Sequence, residues 1–287
     1  MSGWRRLALG GLLLSGCGAP VLPPGFGQAD ALAFQKEHER EIGAEVGPLS
    51  AVASYYVEPG QTLALGVVGD ALGPAPEGPG PRVRIEVTDA GARCLEGCDA
   101  GPIALEGPRT VTLDRFSLLL SPQSGATRVL VHDPRAPGRQ AFDGLHWFPV
   151  DLRFIVPATF EPDAERPTVE LSTSRGLTKP FVRAGVLRAE LLGHAIVLHG
   201  YQAGGGTGDT TLLVPFTDRT TGDSTYPVGR YLQVTLPADG SGTTALDLNR
   251  ATNPYCAYSE HYNCPIPPAD NGLALAVEAG EQLYDVH

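Results

Sequence analysis

From residue 51 onward the apolar residues recur with a period of two, in short runs that end in Gly, Pro, Asn or Asp. Side chains alternate between faces along an extended chain, so this pattern specifies half-buried strands. In 82–87 it places Val83, Ile85 and Val87 on one face and Arg82, Arg84 and Glu86 on the other. Similar runs follow at 62–68, 109–113, 116–120, 128–132, 148–156, 168–172, 183–192, 195–201, 211–216 and 231–236. The stretch GDALGPAPEGPGP (69–81) is too rich in Pro and Gly for helix or central strand, and DPRAPGRQAFDG (133–144) is a second punctuated stretch. The second divides a domain over 30–287 into sub-layers 30–135 and 142–287. No helical period returns after Gly47, so the expected fold is mainly β, an antiparallel β-sandwich or open barrel with one N-terminal helix.

That helix is expected over 30–46. Asp30 is its N-cap, Phe34, Ile42 and Val46 form its apolar face with His38 among them, and Gly47-Pro48 ends it. Lys36, Glu37, Arg40, Glu41 and Glu45 read as its solvated side.

Residues 1–16 carry Arg5 and Arg6, an apolar run over 7–14 and small residues before Cys17, and look like a bacterial lipoprotein signal peptide. An uncleaved anchor and an ordinary signal peptide are the competing readings. On the lipoprotein reading Cys17 is the lipidated N-terminus, and more than one acyl chain gives stable anchoring. Residues 17–29 are then a Pro/Gly tether, whose 18–28 stretch reaches about 35–40 Å when extended. Such a protein is extracytoplasmic, held on the cell or outer membrane, with the membrane as partner through its lipid.

Without Arg5 and Arg6, the 21 basic residues fall to 19 against 32 acidic, and no basic run occurs. Nucleic acid is therefore not an expected partner. An oxidising address makes the four remaining cysteines a disulfide framework with three pairings open. Local pairing, Cys94 with Cys98 and Cys256 with Cys264, is favoured because each pair flanks a Gly- or Pro-rich turn. A loop so small stabilises by about 2–2.6 kcal/mol. A four-thiolate zinc site is the competing use.

The sequence GGGTG (204–208) lacks the Lys-Ser/Thr and following helix of a phosphate loop, and reads as a hairpin turn. His194 and His199, five apart on a strand, face opposite ways. With no HxH or HExxH motif, neither they nor His146 indicate a metal or other cofactor.

The densest polar chemistry lies in 216–281. FTDRTTGDSTYPVGRYL (216–232), DLNRATNPYCAY (247–258), CPIPPADN (264–271) and AGE (279–281), with FDGLHWFPVDLRFIVPATF (142–160) upstream, resemble the bacterial family called domain of unknown function 1684. The chain departs from that family's usual pattern at Leu248, where an aromatic is usual, at Thr252, where Tyr is usual, and after Asn271, where Arg commonly follows. The resemblance implies no particular reaction. Asp218, Tyr226, Arg230, Asp247, Asn249, Asn253 and Asn271 are the candidate ligand-binding residues, since an Asp–Arg fork with neutral Tyr and Asn groups suits a carboxylate, sugar or peptide. The same residues could instead be the hydrogen-bonding frame of a turn-rich layer. Three functions compete. One is a lipid-anchored envelope protein binding a small polar ligand or an envelope component. Another is a hydrolase of envelope glycans or esters with Asp218 or Asp247 as base and Arg230 as anion clamp. The third is metal-assisted redox protection using His146, His194 and His199.

Overall fold

The computed structural model describes residues 25–284 except 76, 78–79, 99–107, 124, 204–209 and 238–241. The signal segment, Cys17, most of the tether and the 204–208 turn lie outside the described residues. Among those described, no helix is long and apolar enough to cross a membrane.

The chain is mostly β and antiparallel, as the two-residue period requires. Two four-stranded sheets come first. One contains β1 (Ala51–Val57), β6 (Arg109–Leu113), β7 (Phe116–Gln123) and β8 (Ala126–His132) in the order β1-β8-β7-β6. The other contains β2 (Thr62–Val68), β3 (Ala71–Pro74), β4 (Arg82–Thr88) and β5 (Gly91–Glu96) in the order β3-β2-β4-β5. Val83, Ile85 and Val87 of β4 share one core with Phe116, Leu118 and Leu120 of β7, so the two sheets close as a sandwich. The short β3 lies inside the Pro/Gly-rich 69–81 stretch but only at a sheet edge, where Pro is tolerated. A Cys94–Cys98 disulfide closes the end of β5.

A short helix α2 (Pro137–Gln140) lies in the connection to the second layer. That layer is a seven-stranded sheet of β9 (Ile155–Pro162), β10 (Thr168–Ser172), β11 (Thr178–Leu191), β12 (His194–Ala203), β13 (Thr211–Phe216), β14 (Arg230–Thr235) and β15 (Gly242–Asp247). Its order is β14-β13-β12-β11-β9-β15, with β10 on β11, and it curls into a half-barrel. Its end strands, β14 and β15, meet through the Thr244 hydroxyl, which donates to the Thr235 carbonyl at 3.0 Å. Leu187, Leu198, Leu212, Val214, Phe216, Leu232 and Leu246 fill the interior. At the β11 bulge Gly185 is obligatory, because a Cβ there would lie 2.3 Å from the Glu161 carbonyl oxygen.

Several expected boundaries move, among them the strand expected over 183–192, which begins at Thr178. The strand expected over 148–156 begins only at Ile155. Before it, the Asp151 side chain caps a 3₁₀ turn (Leu152–Phe154) by accepting from Arg153 N at 2.9 Å. The helix α1 runs Gln28–Ile42, starting without a side-chain cap, with Asp30 in its first turn. It stops at Gly43, where a Cβ would lie 2.8 Å from the Phe142 ring and where Arg139 Nε donates to the terminal carbonyl at 3.0 Å. Val46 is consequently outside the helix and half exposed. The buried stripe is Ala31, Gln35, His38 and Ile42, which seats α1 on the second layer and on Leu49, Leu145 and Tyr258.

Candidate ligand-binding site

Asp218 and Arg230 do meet, deep in the protein, with the side chains 1% and 0% exposed and Arg230 Nη2 2.9 Å from Asp218 Oδ2. Arg230 also donates to the carbonyls of Val277 (2.8 Å), Ala279 (2.5 Å) and Glu281 (3.2 Å). Asp218 Oδ1 accepts from Thr220 N (2.8 Å), Thr220 Oγ1 (2.6 Å) and Val277 N (3.1 Å). Burial pulls the Arg230 pKa below its ordinary value against the opposing pull of Asp218. The fork therefore straps residues 277–281 to β14, and both groups are spent on it except for Arg230 Nε, which is buried without a hydrogen-bond partner.

Asp247 and Asn249 form a second knot. Asp247 Oδ1 accepts from Asn249 N (3.1 Å) and Nδ2 (2.9 Å), and Oδ2 lies 3.0 Å from Arg250 Nε. Burial raises the Asp247 pKa despite the Asn249 and Arg250 contacts. Asn249 also exchanges hydrogen bonds with the backbone of Asp151 at 2.9 and 3.1 Å. Asn271, fully buried, accepts from His199 N (2.7 Å) and donates to the carbonyls of His199 (3.0 Å) and Pro215 (2.7 Å), tying β12 and β13 to the following loop. Tyr226 donates to the Cys256 carbonyl at 3.3 Å. Five of the seven candidates, Asp218, Arg230, Asp247, Asn249 and Asn271, are thus buried framework.

Cys256 and Cys264 are neighbouring thiols here, not the expected second disulfide: Cys256 N donates to Cys264 Sγ at 3.3 Å. The Cys264 hydrogen bond, opposed by burial, lowers the Cys256 pKa to about 6 and leaves the proton on Cys264, whose pKa rises.

The third knot was not visible in the sequence. Glu281 is completely buried, and its carboxylate accepts from Asn253 Nδ2 (2.8 Å), Asn253 N (2.9 Å) and Tyr258 OH (2.5 Å). His38 of α1 brings Nε2 to 3.6 Å from the same carboxylate and Nδ1 to 3.7 Å from Glu41, ion-pair contacts longer than hydrogen bonds. Burial opposes a charge on this ring, but the two carboxylates, Glu281 before Glu41, outweigh it and lift the pKa to about 9. His38 is therefore a cation at neutral pH.

Next to that pair a cleft of about 420 Å³ opens between α1 and β14. Phe34, Glu37, His38 and Glu41, spaced i, i+3, i+4, i+7, form one wall. Tyr231, Gln233 and Thr235 form the other, because alternate residues of β14 turn away from the barrel core. Arg250, Thr252, Asn253 and Tyr255 complete it, with Cys264. Asn253 is the one sequence candidate on this surface. The helix side read as solvated thus supplies Glu37 and Glu41 to the cleft. Among the described residues, no group of three or more His, Cys, Asp or Glu side chains is placed to hold a metal ion.

Residues 140–282, which contain the fork, the Asp247 knot, Glu281 with Asn253 and Tyr258, and most of the cleft, match the family described as protein of unknown function (DUF1684). This segment is a DUF1684 domain. The helix α1, which supplies one cleft wall, lies outside the matched residues of the DUF1684 domain. The chain is also similar to the uncharacterized protein from gene locus rrnAC0354 of Haloarcula marismortui, solved in solution by NMR. The identity is 36%, over 52% of this chain and 82% of that one, with a TM-score of 0.43. No curated protein matches the chain.

Proposed function

We propose that this protein is a lipid-anchored component of the bacterial cell envelope that binds a small polar ligand in the cleft between α1 and β14. The observation that carries the binding reading is the cleft itself. It is concave, within the size range of small-molecule sites, and lined by half-exposed rings, amides and hydroxyls around a buried His38–Glu281 pair. Hydrolysis with Asp218 or Asp247 as base finds no support in this geometry, because both carboxylates are engaged and neither lines the cleft. The anchor reading rests on the sequence around Cys17.

A thermal-shift screen of small polar compounds tests the binding. A ligand at a hundred times its Kd should stabilise wild type by about 2.7 kcal/mol. It should not stabilise Gln233→Trp, which fills the cleft from an exposed position. Hits that act equally on both proteins would refute the site. Cys17→Ala, compared by cell fractionation, should move the protein from the membrane to the soluble fraction, and an unchanged distribution would refute the anchor.

A further inference from the structure

Both cations that line the cleft are already neutralised. His38 sits between Glu281 and Glu41, and Arg250 places Nε 3.0 Å from Asp247. A carboxylate or phosphate entering here would meet no unpaired positive charge, while Glu37 and Glu41 stand on the wall beside it. The carboxylates are no better placed to take an amine: Glu41 is engaged by His38 and by the Tyr255 hydroxyl, and Glu37 by Arg40.

An extended peptide would have to pair with the open edge of β14. Only alternate residues of an edge strand present N–H and C=O outward. Tyr231 has spent both on Thr252, at 2.8 and 2.9 Å, and the Thr235 carbonyl accepts from Thr244, which leaves Gln233 alone on that edge.

What remains is neutral and mixed. The Tyr231 and Tyr255 hydroxyls are tied to the Pro265 carbonyl and to Glu41, so these residues, with Phe34, offer rings. Gln233, Thr235 and Thr252 offer groups that both donate and accept. Asn253 is 2% exposed, its Nδ2 is fixed toward Glu281 and the Gln282 carbonyl, and its Oδ1 is buried, so this residue frames the cleft more than it faces into it.

We infer that the cleft accepts a neutral polyhydroxylated ligand, a saccharide, whose hydroxyls serve Gln233, Thr235 and Thr252 while its apolar face lies on Phe34, Tyr231 or Tyr255. A hydroxyl both gives and takes a hydrogen bond and needs no counter-charge, which is what this surface provides. The inference rests on the reading of the cleft as a binding site.

Isothermal titration of the full-length protein in detergent micelles separates the two. The probes are N,N′-diacetylchitobiose and maltose as neutral saccharides, glucuronate and inorganic phosphate as anions, and choline as a cation, each titrated into wild type, Gln233→Ala and Gln233→Trp. The expected result is binding of a neutral saccharide at least about tenfold tighter than any charged probe, weakened in Gln233→Ala and lost in Gln233→Trp. Tighter binding of glucuronate, phosphate or choline that is lost in Gln233→Trp overturns the saccharide assignment and leaves the cleft standing as a site. Binding of no probe, or binding that Gln233→Trp does not disturb, overturns both.

Discussion

Replacing Glu281 by Ala should be among the most damaging single substitutions in the second layer. The carboxylate is 0% exposed and satisfies Asn253 N, Asn253 Nδ2 and Tyr258 OH, with the His38 cation 3.6 Å away. Truncation strands three donors and one buried charge together. Hydrogen bonds to a charged group contribute about 1.5–3 kcal/mol each, and removing one partner of a buried ion pair costs about 3–5 kcal/mol. Because water entering the vacated space recovers part of this, a loss of about 3–5 kcal/mol is expected, roughly 10 °C in Tm for a chain of this size. Urea unfolding followed by circular dichroism reads it as a lower midpoint with an unchanged slope. Glu281→Gln, which keeps the shape and loses the charge, should fall between. A Tm within about 2 °C of wild type for Glu281→Ala would refute the idea that this carboxylate holds α1, the 253–258 segment and the C-terminal strap together.

Arg230→Ala leaves Asp218 and the Val277, Ala279 and Glu281 carbonyls without their donor, and should cost about 3–5 kcal/mol in the same unfolding assay. His38 gives a pH dependence. Its pKa is raised from 6.5 to about 9 on folding, so its stabilisation is complete below pH 6.5 and disappears as pH rises through about 9. Wild type should lose on the order of 3 kcal/mol relative to His38→Gln over that window, and parallel profiles would contradict the ion pair. In the reduced protein Cys256, with its pKa lowered to about 6, should alkylate with iodoacetamide at pH 7 well before Cys264, as peptide mass mapping would show.

Much of this architecture is legible in the sequence because a strand's signal is local. The runs at 109–113, 168–172 and 211–216 coincide with β6, β10 and β13, and the alternation at 82–87 buries Val83, Ile85 and Val87. Boundaries moved at particular residues: α1 stops at Gly43, where the Phe142 ring leaves no room for a side chain, and the Asp151 cap delays β9. The site was legible only in halves. An i, i+3, i+4, i+7 stripe on α1 and an alternating face on β14 can both be read, but nothing local says that they oppose each other. His38 and Glu281 meet across nearly the whole chain, so no spacing marks them as a pair. Glu37 and Glu41 look like a solvated side because charge alone does not reveal a neighbouring wall. The signature residues Asp218, Arg230, Asp247, Asn249 and Asn271 drew notice as chemistry, yet polar residues in a turn-rich layer also satisfy buried backbone groups, and that is the use the fold makes of them.

The central claim is that the polar signature is framework and the binding surface is the α1–β14 cleft. Chemical-shift mapping on isotope-labelled protein, saturated with whichever neutral saccharide binds in the titrations, tests it most directly. Perturbed resonances are expected at Phe34, His38, Gln233, Thr235, Thr252 and Asn253, with Asp218 and Asn271 unmoved. Perturbations centred on Asp218, Arg230 and Asn271, with the cleft silent, would contradict it.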